Sequence, residues 1–211
     1  MKKILSIITI ELTMLFMIMV STAFAPKSSD EGYKVGDTAT SFKLKNVDGK
    51  FVSPADYKSA KGFIVVFTCN TCPYSKLYES RIDALNLKYA DKGYPVLAIN
   101  SNDPVVQPGD SYDEMVKLAK SSKYSFPYLQ DTSQEIAKSY GATKTPHVYV
   151  LEKQGADLKV AYIGAIDNNP REAKSADVFY VEDAVNSLLE GKPVKTTTTK
   201  AIGCTIKWKQ A

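Results

Sequence analysis

Cys69-Asn70-Thr71-Cys72-Pro73 places two thiols two residues apart, just ahead of a proline. Such a pair can cycle between dithiol and disulfide: one thiolate attacks a foreign disulfide, and its neighbour resolves the mixed disulfide that results. The same spacing suits a static structural disulfide or half of a metal site, so the surrounding elements must decide. Two other groups could join the chemistry, Cys204 and the single histidine, His147. With Cys69 and Cys72, His147 would complete a Cys2His set of the softness that copper favours, against the plainer reading of a histidine opening a buried strand. Cys204 reads as a packing residue, a third redox thiol resolving Cys69, or a dimer bridge.

The flanking pattern argues for redox use. Gly62-Phe63-Ile64-Val65-Val66-Phe67 is a continuous apolar run, as expected of a strand buried on both faces. From Tyr74 to Tyr89, Leu77, Tyr78, Ile82 and Leu85 recur at helical spacing, with Gly93 as a stop. Pro95 to Asn100 is a second apolar strand, so the cysteines sit between strand and helix of a βαβ unit whose strands run parallel. This context predicts Cys69 at the helix N-terminus, where unpaired N–H groups and the dipole favour a thiolate, and Cys72 a turn further in.

Elsewhere the pattern gives a hairpin around Asn46-Val47-Asp48-Gly49, helices over 111–122, 133–140 and 178–189, and strands at 126–129, 147–151 and 160–163. The order β-β-β-α-β-α-β-α-β-β-α describes an α/β domain with one mixed central β-sheet flanked by helices and an N-terminal β-hairpin extension. Asn100-Ser101-Asn102 ends a strand on the cysteine edge, as cleft lining or as ordinary loop. Residues 195–200 resemble a linker, while Ile202, Cys204, Ile206 and Trp208 alternate with polar residues, predicting that an apolar face of the tail packs back.

The chain has 211 residues, 24% charged, with a net charge of +4 spread along its length, which suits one globular domain and gives no argument for nucleic acid. Its first residues form an address: Met1-Lys2-Lys3, an apolar run from Ile4 to Val20 interrupted by Glu11, then Ala23-Phe24-Ala25. This pattern predicts a signal peptide over 1–25, cleaved after Ala25; the alternative is an uncleaved anchor. Membrane contact is then expected only through this segment before cleavage. The remaining organisation is a domain over 26–193 and a tail over 194–211. Export places the cysteines where disulfides persist.

Gly62 to Pro73, together with Gly141-Ala142-Thr143-Lys144-Thr145-Pro146, resembles the thioredoxin superfamily. The leader from Val35-Gly36-Asp37 to Asp48-Gly49-Lys50 is similar to its redoxin branch, which includes peroxiredoxins. The closing Gly203-Cys204-Thr205-Ile206-Lys207-Trp208 resembles the tail of a peroxiredoxin-like group with an FTCNxCP setting such as Phe67 to Pro73. The resemblance implies a thioredoxin-like fold, a cis bond before Pro146, and a Thr145 backbone open to a substrate strand. It departs from peroxiredoxins in lacking Thr or Ser three residues before either cysteine, where Val66 and Cys69 stand. It departs from thioredoxins in having no acid in Phe63 to Phe67.

The expectation is an exported thiol–disulfide oxidoreductase with Cys69 as nucleophile, Cys72 as resolving thiol, and Thr145 and Pro146 as the docking element. No cofactor or metal is expected. Its partners would be a disulfide in another exported protein and a membrane thiol electron donor. Asn70 and Thr71 carry no charge, so only a modest lowering of the Cys69 pKa is expected, with a reducing or intermediate potential. The alternatives are a thiol peroxidase using the same cysteines, with antioxidant activity, and a copper chaperone using Cys69, Cys72 and His147.

Overall fold

The structure, a computed structural model, describes residues 32–210; the expected signal segment lies outside them. The chain begins with a hairpin of β1 (Leu44–Asn46) and β2 (Phe51–Val52), turned at Gly49. The βαβ unit follows: β3 (Gly62–Phe67), α1 (Pro73–Tyr89) and β4 (Val96–Asn100), with β3 and β4 parallel as expected. Then come α2 (Tyr112–Ser122), β5 (Tyr128–Gln130), α3 (Glu135–Tyr140) and β6 (Lys144–Thr145). The last elements are β7 (His147–Gln154), β8 (Asp157–Gly164), α4 (Tyr180–Leu189) and β9 (Cys204–Thr205).

Seven strands form one mixed sheet in the order β2-β1-β5-β4-β3-β7-β8. β3 explains its own composition. Ile64 and Val66 face a core layer with Tyr78, Ile82 and Leu85 of α1 and Val181, Ala184 and Val185 of α4. Phe63, Val65 and Phe67 face the opposite layer with Tyr140, Tyr149, Leu151 and Ile206. With neighbours on both sides and layers on both faces, none of these positions meets water, so an alternating polar pattern has no place there. Each such side chain contributes roughly 1.5–3 kcal/mol by burial. Among the described residues, no helix is long and apolar enough to cross a membrane.

Two features depart from expectation. Residues 195–200 are not a free linker: Ile163 N–H donates to Thr197, Thr199 N–H donates to Ile163, and the Thr199 hydroxyl accepts from Ala165 N–H. The outer edge of β8 is shared: residues 36–39 pair with it at 158–160, and this stretch pairs with it further along, at Ile163. The tail does return, but not on an apolar face. Ile206 is buried, while Ile202 and Trp208 are 43% and 36% exposed. What holds it is backbone pairing of β9 with β6 in a separate two-stranded ribbon, a register that no side-chain pattern announced.

Candidate functional site

β3 ends at Phe67, and five residues bridge it to α1, which opens with Pro73 at its first position. Cys72 is therefore the helix N-cap, in extended conformation, and Cys69 lies three residues earlier in the connection. This corrects the expected placement. Pro73 has no N–H and a preset φ, which starts the helix one residue after Cys72 and leaves Cys69 outside it. Of the first-turn N–H groups, that of Ser75 acts on Cys72, while Cys69 receives the N–H of Cys72.

All three cysteines are free thiols. The Cys69 and Cys72 thiols lie close enough that each shifts the other's ionisation, and both sulfurs touch Thr145. The Cys69 thiol is held well above the ordinary range, first by donating to Cys72, then by burial, then by the Asp110 carboxylate. The expected lowering at Cys69 is thus reversed, since a sulfur lending its proton to a neighbouring thiolate cannot also ionise. Cys72 is pushed down, chiefly by the Cys69 donor, with help from Cys204 and the Ser75 N–H and against its own burial. As a thiol, Cys72 donates to the Thr145 carbonyl oxygen at 3.1 Å; ionisation gives up that contact and keeps the Ser75 and Cys204 N–H donors.

The connection between the cysteines is built on Asp110, 40 residues downstream and fully buried. Its Oδ1 accepts from Asn70 N–H at 2.7 Å and Thr71 N–H at 3.3 Å; its Oδ2 accepts from the Thr71 hydroxyl and from Asn102 Nδ2. Asn70 Oδ1 accepts from the Tyr128 hydroxyl, which also accepts from Asn100 Nδ2. Asn100-Ser101-Asn102 thus holds the cysteine loop from behind and is buried, not cleft lining. The sequence gives no signal for Asp110, because an acid in Pro108-Gly109-Asp110-Ser111 looks like ordinary helix-start chemistry. Ser75, fully buried with Oγ 3.9 Å from Cys69 Sγ, was equally silent.

Thr145 and Pro146 lie directly against the cysteines, and their peptide bond is cis. The Thr145 hydroxyl is 3.3 Å from Cys69 Sγ. The Thr145 backbone is not open, however. It pairs with Cys204 of β9, and Cys204 N–H donates to Cys72 Sγ at 3.4 Å. The tail takes this edge because its own backbone groups need partners as much as a foreign strand's would. Cys204 is half-buried, and burial followed by contact with Cys72 pushes its thiol up.

His147 opens β7, pairs with Phe67 across β3, and tilts against Tyr149. Its Nδ1 is buried without a hydrogen-bond partner, and burial lowers its pKa to about 4. Among the described residues no group of three or more His, Cys, Asp or Glu side chains is placed to hold a metal ion, which leaves the copper reading without a ligand set.

Comparison with known proteins matches residues 35–162 to the AhpC/TSA family. The chain belongs to the AhpC/TSA family. It is a member of the redoxin branch of the thioredoxin superfamily, with the fold that the superfamily implies. Thiol-disulfide oxidoreductase ResA of Bacillus cereus is 27% identical over 129 residues, 61% of this AhpC/TSA chain and 69% of ResA. An uncharacterized conserved protein from Geobacillus kaustophilus is 38% identical, with a TM-score of 0.77 over 86% of this chain and 95% of that one. That likeness extends beyond the family segment. The exposed lipoprotein thioredoxin of Streptococcus pneumoniae shares the fold, at 22% identity and a TM-score of 0.53 over 72% of this chain and 99% of its own. Family and relatives together make this AhpC/TSA protein an oxidoreductase.

Proposed function

We propose that this chain is an exported thiol–disulfide oxidoreductase that works through Cys69 and Cys72, with Cys72 as the attacking thiol. The observation that carries the reading is the pair of free thiols at the start of α1, both in contact with Thr145 beside the cis Thr145–Pro146 bond. The Cys72 thiolate attacks one sulfur of a substrate disulfide, forming a mixed disulfide and releasing a substrate thiolate. Cys72 then carries no charge, so the largest influence holding the Cys69 proton disappears. Cys69 loses its proton to solvent by way of the neighbouring hydroxyls and attacks Cys72 Sγ. The second substrate thiolate leaves, and a Cys69–Cys72 disulfide remains.

The substrate class is a disulfide in another exported protein, in keeping with the address over residues 1–25. Re-reduction takes an external dithiol, and a membrane thiol donor suits that compartment. Thr145 and Pro146 form the docking edge.

The test is redox titration of residues 26–211 in glutathione buffers, with peptide mapping of the oxidised form. A reversible Cys69–Cys72 disulfide is expected. A protein that never closes this bond, or closes it irreversibly, contradicts the reading. The peroxidase alternative is separated by reaction with hydrogen peroxide, which is expected near the rate of free cysteine, because Cys69 stands where a peroxide-binding hydroxyl would be needed. A rate far above it, lost in one single-cysteine variant, would make the protein a peroxidase.

A further inference from the structure

β9 occupies the edge that a docking substrate would use. It pairs antiparallel with β6, with Thr145 opposite Cys204 and Lys144 opposite Thr205. A substrate strand recognised by backbone pairing would make this same pattern, with its reactive sulfur brought to Cys72. The tail is fitted to the role. A Cβ at Gly203 would collide with the Thr145 carbonyl, so glycine lets the strand approach closely there. Cys204 N–H reaches Cys72 Sγ. Beyond β9, Ile206 N–H donates to Thr143, and Lys207 N–H donates to Asn102 Oδ1. Gln134 then spans the strand, its Nε2 donating to Lys207 and its Oε1 accepting from Lys209 N–H.

We infer that the C-terminal strand is a tethered mimic of the substrate, and that Cys204 is a second resolving thiol delivered to Cys72 when the strand docks. The inference rests on the exchange chemistry proposed above and extends it. A protein disulfide displaces β9 from Thr145 and forms a mixed disulfide with Cys72. Return of β9 competes the substrate strand off the same backbone groups and seats Cys204 at the Cys72 sulfur. The Cys204 thiol releases its proton to solvent, and its sulfur attacks Cys72 Sγ. The bond from Cys72 to substrate breaks, the substrate thiolate leaves with the electron pair, and a Cys72–Cys204 disulfide forms. Two protein thiols are oxidised and one substrate disulfide is reduced; an external dithiol restores both. While that disulfide lasts, the docking edge stays covered. Cys69 and Cys204 are thus alternative closers of the same intermediate, one from the loop and one from the strand.

The experiment uses residues 26–211 carrying Cys69→Ser, reacted with oxidised glutathione and followed by intact-mass and peptide mapping. The expected product is an intramolecular Cys72–Cys204 disulfide, with the glutathione adduct only transient. In Cys69→Ser/Cys204→Ser the Cys72–glutathione adduct accumulates and persists. Cys69→Ser/Gly203→Val retains Cys204 but disrupts the approach to Thr145, so closure is expected to slow by roughly tenfold or more. If the adduct persists equally with and without Cys204, the inference is overturned while the exchange reading stands. If closure keeps its rate in the Gly203→Val background, Cys204 acts without the docked strand and the mimic is overturned. If no variant forms an adduct at Cys72, the exchange reading itself fails and takes this inference with it.

Discussion

At the scale of single residues, Cys69 and Cys72 shift one another's ionisation in opposite directions, Cys69 up and Cys72 down, and the exchange proposed above gives the thiolate to Cys72. The Cys72 thiolate depends chiefly on a donor at position 69, so Cys69→Ala should raise the Cys72 pKa by roughly a unit or more, whereas Cys69→Ser, which keeps a donor, should raise it less. Thiolate absorbance against pH measures both; equal shifts would show that the donor is immaterial. Alkylation of Cys72 in the wild type should stay nearly flat as pH falls through neutrality and decline only as the depressed pKa is crossed. Asp110 acts on both stability and charge. Asp110→Ala strips the acceptor from two backbone N–H groups and two side chains and should cost about 3 kcal/mol in chemical denaturation. Asp110→Asn keeps the shape, removes the charge, and should lower the Cys69 pKa. The identity of the thiol pair was legible, because two cysteines between an apolar run and a helical repeat have few other uses. The order in which they act was not: the helix begins at Pro73, one residue from the start read at Tyr74, so the boundary was legible while the neighbours that bear on each sulfur, Thr145, Asp110 and Cys204, come from distant parts of the chain.

At the scale of elements, α1 carries Cys72 and is fixed at its far side by a buried cluster. Arg81 donates to Asp167 at 2.6 Å and to the Asn169 carbonyl, and its guanidinium stacks 3.7 Å over the Tyr78 ring, whose hydroxyl also donates to Asp167. Asp167→Ala leaves that cation buried without its carboxylate, and denaturation should show a loss of about 3–5 kcal/mol. β7 carries a pH dependence. His147 takes up a proton near pH 6.5 when unfolded but only near pH 4 when folded, so the unfolded chain binds more protons between these values. Stability is complete above the unfolded pKa and falls as pH drops from about 6.5 towards 4, by on the order of 3 kcal/mol. His147→Gln should flatten that slope in urea titrations at stepped pH; an unchanged slope would place it elsewhere. β3, α1, β4 and the hairpin were legible, because burial on one or both faces prints a period in the sequence. β6 was not, since a two-residue strand has no period; the alternation from Ile202 to Trp208 marked a strand where β9 lies, but not its partner about 60 residues away.

At the scale of the whole molecule, one α/β domain places three chemical groups from distant parts of the chain around one sulfur: the α1 N-terminus, the Thr145–Pro146 edge and the tail strand. The tail was legible as something that returns. Where it returns was not, because backbone pairing with Thr145 leaves no imprint on side-chain type except Gly203. Export belongs to this scale as well. Expressed from its full sequence in a secreting bacterial host, the protein should be recovered outside the cytoplasm with Pro26 at its N-terminus, as N-terminal sequencing would read; retention of Met1 would favour the anchor. The central claim is that Cys72 attacks. It is tested most directly by stopped-flow reaction of a small aromatic disulfide with Cys69→Ser/Cys204→Ser and with Cys72→Ser/Cys204→Ser, slightly below neutral pH. The first, keeping only Cys72, should react faster than free cysteine and at least about tenfold faster than the second. The reverse order, with the Cys69-only protein the quicker, would contradict the account and return the nucleophile to Cys69.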